Sequence, residues 1–266
     1  MKVILYDEGA SGEVAVEEIS RYLARKMGRA EVEIKATPLP NLAEDKIFRY
    51  AASIAATKIG QIDKKIVSGH VPLPGEIEYE KRRISGRTKA FGVIYDGFYL
   101  QGIFGEIIPQ EGLDSVHIIF TNRLFATWDE GNKRYHLRTS LYGIPSIIST
   151  SGLIEAPAKP RQYYLLKQQY ERLGRDLTEL KERFKGSFLD YGDRRLTEVA
   201  KGYAMQAVFY SLLGDPFCQD KGCRLYNAHW QEELIFAQLE SGYEFCRQHT
   251  KVLERVGGDS PVFHHT

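Results

Sequence analysis

Cysteine is scarce in this chain, whose 266 residues include three cysteines, three methionines and two tryptophans. An odd number of cysteines argues against a disulfide framework, so we expect a cytosolic (cytoplasmic) protein with reduced thiols. An excess charge of one sign is also missing, because 36 basic residues balance 35 acidic ones to a formal net charge of +1. We therefore expect neither nucleic acid nor a membrane surface among its partners.

Long hydrophobic runs are absent as well, since no apolar run approaches the roughly 18 residues of a membrane helix. The opening, MKVILYDEGASGEV, is typical of a strand followed by a turn and not of a signal peptide. Internal repeats and low-complexity segments are lacking. What remains is a composition of 43% hydrophobic and 27% charged residues, which indicates a soluble globular protein with a sizeable core.

The first third of the chain has the pattern of a β-α-β unit. KVILYD (2–7) and EVEIKA (31–36) predict strands, and SGEVAVEEISRYLARKMG (11–28) between them predicts an amphipathic helix. Such a unit usually forms a parallel strand pair with a right-handed crossover. A second helix is predicted over 44–63.

The middle of the chain favours strands. AFGVIYDGFYLQGIFGEIIP (90–109) predicts a hairpin turning at Asp96-Gly97. A second hairpin, with its turn at 129–132, is predicted over 124–142. Two further strands are predicted over 115–122 and 145–153.

The last third changes to helical patterns after a linker with two prolines at 156–162. One long charged helix is predicted over 162–184 and a more apolar one over 194–214. The predicted fold class is α/β (α+β), a mixed sheet with flanking helices. We divide it into an α/β N-terminal lobe (1–155) and a helical C-terminal lobe (156–266), packed closely as one domain.

The three cysteines lie in the C-terminal lobe, near one histidine. Cys218 and Cys223 form a C-x4-C pair, and Cys246 and His249 form a C-x2-H pair. Three thiolates and one imidazole suit a tetrahedral Zn²⁺, and a site with four protein ligands is structural. The alternative is three ordinary thiols and a surface histidine in an α/β protein without a metal.

The region around these residues resembles the end of the archaemetzincin zinc metallopeptidases, and the chain looks like an archaeal offshoot of them. That family's pattern is H-E-x-x-H-x-x-G-x-x-H-C, then x4-C, then a later C-x-x-C. Its glycine matches Gly214, its first two cysteines match Cys218 and Cys223, and its later pair matches Cys246 and His249. The opening MKVILYDEGASGEV and the later Pro-Leu-Pro turn are also similar. The resemblance implies a metzincin-like fold with a zinc-stapled C-terminal helical segment.

The catalytic part of that pattern is replaced in this chain. Ala207, Val208 and Ser211 stand where the family has its first histidine, its glutamate and its second histidine, and Phe217 stands at the third histidine. The resemblance therefore implies a catalytically inactive pseudo-metallopeptidase. Such a protein would keep the structural zinc and act by binding an unknown protein or peptide partner. The alternative is an active zinc-dependent hydrolase whose ligands come from other positions.

Other histidines could belong to a second metal site. His117 and His136 fall on predicted strands, and a cryptic site built from them and His229 remains an alternative. His229 and Glu233 are four residues apart on a predicted helix, where an exposed ion pair is the simpler interpretation.

Two loops complete the set of candidates. EKRRISGRTK (80–89) is interpreted as a solvated basic loop, with a phosphate contact as the alternative. GASG (9–12) could cradle an anion at a helix N-terminus, although helix capping by Ser11 explains it more simply.

Overall fold

The structure is a computed structural model of the chain. It describes residues 1–10, 12–28, 30–37, 39, 42–66, 70–86, 92–108 and 115–257. The described residues form these helices: α1 Val16–Met27, α2 Glu44–Ala56, α3 Pro74–Ile84, α4 Gly97–Ile107, α5 Thr150–Glu155, α6 Arg161–Arg172, α7 Leu177–Arg183, α8 Leu196–Leu213, α9 Gln231–Ile235 and α10 Arg247–Gly257, with a π-helical segment at Phe236–Glu240. The strands are β1 Lys2–Glu8, β2 Glu31–Ala36, β3 Ile94–Asp96, β4 Ser115–Thr121, β5 Leu124–Asp129, β6 Arg134–Arg138, β7 Ser140–Leu141 and β8 Ser146–Ser149.

A five-stranded sheet forms the centre of the molecule, in the order β2-β1-β4-β8-β7. The first four strands are parallel, and β7 runs antiparallel to β8 at one end. A second sheet has the order β3-β5-β6, in which β5 and β6 form the hairpin predicted over 124–142. The predicted mixed sheet with flanking helices is confirmed, and so is the parallel β-α-β opening.

The central sheet is apolar on both faces, and each face packs against its own hydrophobic core. Successive side chains of a strand point to opposite faces and so enter different cores. In β1, Val3 and Leu5 face one core while Ile4 and Tyr6 face the other. The first core contains α1 and α8, and the second contains α2 and α4. Burial on both faces explains why β1 and β4 read as continuous hydrophobic runs. The first core draws residues from both predicted lobes, including Val3 of β1 and Cys223 near the C-terminus.

The hairpin predicted over 90–109 is wrong, because Asp96 begins a helix where a hairpin turn was expected. Its carboxylate accepts hydrogen bonds from the backbone N–H groups of Phe98 (3.1 Å) and Tyr99 (3.3 Å), as an N-cap does. A Cβ on Gly97 would come within 2.7 Å of the Leu141 side chain. Gly97 therefore allows α4 to start close to β7.

The long helix predicted over 162–184 is divided into α6 and α7. Gly174 has a positive φ of 61° between them, and Asp176 then caps α7 by accepting from the N–H of Thr178 at 2.9 Å. Two predicted helices are also shorter than expected, since α1 begins at Val16 and α2 ends at Ala56. The short strand predicted over 145–153 becomes β8 followed by α5.

The basic run at 80–89 is not a solvated loop in its first half. Residues 80–84 end α3, where Glu80 and Arg83 are buried, and 87–89 lie outside the described residues. Ser11, the expected cap of the first helix, is also outside them, and α1 starts after Ala15 without a side-chain cap.

A buried ionic network lies at the carboxyl ends of β1 and β4. Arg123 is fully buried and donates from Nε to Glu8 (3.1 Å) and from Nη1 to Glu80 (2.5 Å). The Tyr95 hydroxyl donates to the other oxygen of Glu80 at 2.8 Å, and the Lys58 ammonium lies 3.4 Å from the same oxygen. These pairs join β1, α3 and β3 to the end of β4.

Within the part of the chain that the structure describes, no helix combines the length and the apolar character needed to span a bilayer.

Candidate metal centre

The end of helix α8 positions Cys218, the first cysteine of the site. The helix ends at Gly214, whose φ of 74° is left-handed and whose N–H donates to the Tyr210 carbonyl at 2.8 Å. The Asp215 carboxylate then accepts from the N–H of Phe217 at 2.9 Å. This turn reverses the chain so that Cys218 lies beside the end of α8.

A tight loop joins Cys218 to Cys223. The Cys218 N–H donates to the Leu225 carbonyl at 2.9 Å, and the Cys223 N–H donates to the Asp220 carbonyl at 3.0 Å. The hydroxyl of Tyr243 donates to the Asp220 carboxylate at 2.7 Å and covers the loop. A loop closed by these bonds holds both sulfurs on one side.

The second pair comes from the start of α10. Cys246 immediately precedes α10 and His249 lies in its first turn, so residues three apart share a helix face. The His249 imidazole is buried edge-on against the Phe209 ring of α8, with centroids 5.1 Å apart. Packing against α8 therefore orients His249 toward the cysteines.

The four side chains converge on one point. Their ligand atoms all lie within 4.8 Å of one another. The Cys218 and Cys246 sulfurs are 3.9 Å apart, and His249 Nδ1 is 3.1 Å from the Cys246 sulfur and 3.7 Å from the Cys223 sulfur. Tetrahedral zinc bonds of about 2.3 Å to sulfur and about 2.0 Å to nitrogen would separate neighbouring ligands by roughly 3.5–3.8 Å. The donor set and its spacing fit a zinc ion.

Burial governs the protonation of these ligands. It raises the pKa of Cys218, and it raises the pKa of Cys223 to about 12, where the charges of the two neighbouring sulfurs act in the same direction. Burial lowers the pKa of His249, which favours the neutral imidazole. A bound cation would stabilise thiolates, so metal binding here releases protons.

The four positions that the resemblance matches to archaemetzincin catalytic residues lie in α8 and the turn after it. Ala207 and Val208 are fully buried in the first core, and Ser211 is exposed. Phe217 packs edge-on against Tyr142 with ring centroids 5.9 Å apart. Alanine, valine and phenylalanine offer no metal ligand, so three of the four positions are occupied by packing residues.

A cleft of about 480 Å³ lies beside these positions, between α8 and the β6–β7 segment. Tyr142, Tyr203, Tyr210 and Phe217 give it an aromatic lining, and His229 lies at one side. Sequence reasoning did not identify this lining. The signal was the seven-residue spacing of Tyr203 and Tyr210, which places both on one face of α8.

Two of the cleft tyrosines, Tyr142 and Tyr203, are held as neutral phenols. The Tyr142 hydroxyl donates to Gln206 of α8 and accepts from Ser140 at 2.8 Å. Burial raises its pKa well above the ordinary value, and burial raises the pKa of Tyr203 to about 12. Neither phenol therefore supplies a phenolate near neutral pH.

The other candidate histidines are not brought together. The His117 Nδ1 lies 3.0 Å from the Tyr6 hydroxyl in the second core, and His136 lies on β6 with Nε2 3.7 Å from Asp129. Among the described residues, the one group of three or more potential ligands within metal-binding distance is the cysteine–histidine cluster.

The expected helical pair of His229 and Glu233 is also wrong. His229 precedes α9, and the Glu233 carboxylate accepts from the backbone N–H groups of His229 (3.1 Å) and Trp230 (3.3 Å). Glu233 therefore caps the start of α9 instead of facing a metal or an imidazole.

These observations define the class of protein. It is an α/β chain with a cluster of four potential metal ligands after α8, the longest of the described helices. A family model, described as "Probable metallopeptidase family (DUF6775)", matches residues 1–256, and the chain belongs to this family. The metallopeptidase relationship predicted from the sequence is confirmed.

Two solved structures are similar in part. Archaemetzincin from Methanopyrus kandleri is 13% identical with a TM-score of 0.47, covering 96% of this chain and 94% of that chain. A zinc-dependent peptidase from Methanocorpusculum labreanum is 13% identical with a TM-score of 0.42, covering 95% of this chain and 99% of that chain. A search of curated proteins gave no match.

Proposed function

We propose that this protein is a non-cleaving member of its metallopeptidase family. It would hold one structural zinc at Cys218, Cys223, Cys246 and His249 and bind a protein or peptide segment in the adjacent cleft. The observation that carries the proposal is that packing residues occupy three of the four positions that match the archaemetzincin catalytic residues, beside a cluster of four potential metal ligands.

The structural role of the zinc is supported by the number of ligands. Three cysteines and one histidine complete a tetrahedral shell, which leaves no position for water or substrate. When bound, zinc would contribute folding free energy by fixing the loop after α8 to the start of α10. His249 would serve as a neutral ligand through Nδ1, the atom that faces the sulfurs.

The loss of catalysis is supported by the chemistry of the cleft. Within the described residues its lining includes one imidazole, that of His229, and no carboxylate. Peptide hydrolysis requires a group that activates water and a group that protonates the leaving amine. The neutral phenols of Tyr142 and Tyr203 are poor substitutes for a general base.

A binding role is supported by the cleft's surroundings. Phe98, which is 62% exposed, lies at the rim, and β7 is the end strand of the central sheet. Concave sites that bind ligands combine apolar lining with a few placed polar groups. Here the aromatic rings supply the apolar surface, and Arg138, Asn227 and His229 supply polar side chains.

Metal stoichiometry is the first test. Native mass spectrometry of protein purified without metal-affinity chromatography should find one zinc per chain, and a peptide library should be cleaved no faster than in buffer. Two metals per chain, or turnover that a chelator abolishes, would instead support an active zinc hydrolase with ligands from other positions. No metal would remove the structural zinc from the proposal.

Binding in the cleft is tested with a displayed library of random peptides. Peptides that the wild type selects should be enriched at least tenfold less by Phe98→Ser, because the substitution removes an aromatic ring from the cleft rim. Phe236→Ser is the matched control, since Phe236 is also exposed (45%) but lies on the π-helical segment. Equal loss in both variants would contradict cleft binding.

A further inference from the structure

The two half-buried cysteines of the cluster differ from the third in their surroundings. Cys218 and Cys246 line a groove of about 620 Å³ that opens beside the cluster, together with Asp215, Asp220 and Arg247. Cys223 is fully buried in the first core and does not line the groove. A small reagent entering the groove therefore meets two of the three sulfurs.

The same two sulfurs are close enough to be joined. The Cys218 and Cys246 Sγ atoms are 3.9 Å apart, and a disulfide would bring them to about 2.0 Å. The Cys223 sulfur is fully buried and does not line the groove, so an oxidant in the groove reaches Cys218 and Cys246. Access therefore favours this pairing over the two that include Cys223.

We propose that Cys218 and Cys246 are an oxidation site, at which a hydroperoxide forms a disulfide and thereby releases the zinc. The inference rests on the proposed function, because it requires zinc to be bound. Zinc ligation keeps both sulfurs as thiolates, which are the reactive form of cysteine.

The reaction needs one hydroperoxide and two protons. One thiolate sulfur attacks a peroxide oxygen, the O–O bond breaks, and the departing oxygen takes a proton, which leaves a sulfenic acid on the cysteine. The second thiolate attacks that sulfur, the S–O bond breaks, and hydroxide leaves with a second proton as water. The two sulfurs lose two electrons in total, and hydrogen peroxide becomes two waters.

Loss of these two ligands would leave only Cys223 and His249 to bind the zinc. Two protein ligands do not complete the four-coordinate shell of a structural zinc, so the ion is no longer retained. Reduction by a dithiol in the presence of zinc would restore the site.

The experiment treats zinc-loaded full-length protein with hydrogen peroxide and follows zinc release with a chromogenic chelator. We expect one zinc released per disulfide, a peptide map that links Cys218 to Cys246, and one free thiol at Cys223. A disulfide that includes Cys223, or zinc retained until sulfonic acids form, would overturn the inference. Absence of zinc before oxidation would instead contradict the proposed function, so the two failures are distinguishable.

Two substitutions, each of which replaces a cysteine ligand by histidine, distinguish zinc release by disulfide formation from general loss of the metal. Cys218→His keeps four zinc ligands but removes one sulfur of the pair, and peroxide should release its zinc at least tenfold more slowly. Cys223→His is the matched control, because it keeps both groove sulfurs and should release zinc as the wild type does. If Cys223→His does not retain zinc, the wild-type peptide map still decides which sulfurs pair. Equal release from wild type and zinc-loaded Cys218→His would also overturn the inference.

Discussion

At the scale of single residues, one glycine determines the packing beside the cysteine–histidine cluster. A Cβ on Gly202 of α8 would lie 1.9 Å from the Gln238 side-chain oxygen and 2.6 Å from its carbonyl carbon. Gln238 is buried in the π-helical segment, and its amide nitrogen donates to the Arg224 carbonyl at 2.8 Å. Gln238 therefore holds the backbone of Arg224, the residue after Cys223. Its side chain has room to lie there only because position 202 of α8 is a glycine.

Gly202→Ala should lower the free energy of unfolding by about 1–3 kcal/mol, because Gln238 must move and give up its hydrogen bond. Gly102→Ala is the control, since Gly102 is also helical but has nothing within 4 Å of the added Cβ. That change should stabilise by about 0.5–1 kcal/mol, as alanine favours helix. Urea unfolding of both variants measures the difference, and equal effects would show that Gln238 does not restrict position 202.

Cys218→Ser should lower the melting temperature by at least about 5 °C, because a lost ligand weakens zinc binding and zinc contributes to folding. Differential scanning calorimetry with and without a strong chelator gives the measurement. The chelator should lower the melting temperature of the wild type to that of the variant and leave the melting temperature of the variant unchanged. A variant that melts as the wild type does in both conditions would rule out a structural metal at Cys218.

At the scale of elements, the sequence predicted most strands and several helices, and two of its errors lie at junctions. Asp96-Gly97 looks like a hairpin turn because both residues favour turns, yet the Asp96 carboxylate caps α4. The charged pattern over 162–184 continues through Gly174, whose left-handed backbone ends α6. At Asp96 two local hydrogen bonds decide the element, and at Gly174 a backbone angle does, neither of which the hydrophobic periodicity records.

The ionic network at the end of β4 gives a prediction about α3. Burial alone would raise the pKa of Glu80, but the charge and hydrogen bond of Arg123 and the Tyr95 hydroxyl together hold it below its ordinary value of 4.5. Glu80→Gln should lower the free energy of unfolding at pH 7 by about 3–5 kcal/mol, because Arg123 loses a buried partner. Glu78→Gln is the control on the same helix, where a half-exposed carboxylate should matter by at most about 0.5 kcal/mol.

The pH dependence of that difference follows from the direction of the shift. A carboxyl whose pKa is lowered by folding stabilises the protein above its unfolded pKa, and this stabilisation is lost as the pH falls through the folded pKa. The gap between wild type and Glu80→Gln should therefore be constant from pH 5 to pH 7 and shrink below the ordinary value of 4.5. Urea unfolding at several pH values checks this, and a gap that is unchanged at pH 3 would contradict it.

At the scale of the whole molecule, the sequence predicted the grouping of the four ligands, since two short-range pairs needed only one long-range contact. Cys218, Cys223, Cys246 and His249 do come together, whereas their binding of zinc stays a prediction. The aromatic cleft could not be predicted in the same way. Tyr142 of the strand region meets Tyr210 and Phe217 only through the packing of α8 on the sheet, which no local pattern encodes.

The cysteine–histidine cluster is tied to the start of the chain by polar contacts to α1. The Glu244 carboxylate, two residues before Cys246, accepts from the Tyr22 hydroxyl (3.1 Å) and pairs with Lys26 (2.7 Å), both on α1. The Arg224 guanidinium, next to Cys223, stacks over the Tyr22 ring at 5.2 Å. The loops that carry the cysteines therefore rest directly on α1.

Zinc removal should accordingly loosen two distant parts of the chain together. After chelation, hydrogen–deuterium exchange measured by mass spectrometry should increase at least tenfold over 215–257 and also rise in α1, which loses its support from Glu244 and Arg224. The β5–β6 hairpin packs beside the second core and serves as the internal control, with its exchange expected to stay unchanged. An increase confined to the cysteine loops would show that the centre stabilises only its surroundings. A uniform increase, hairpin included, would show that the two cores unfold as one unit.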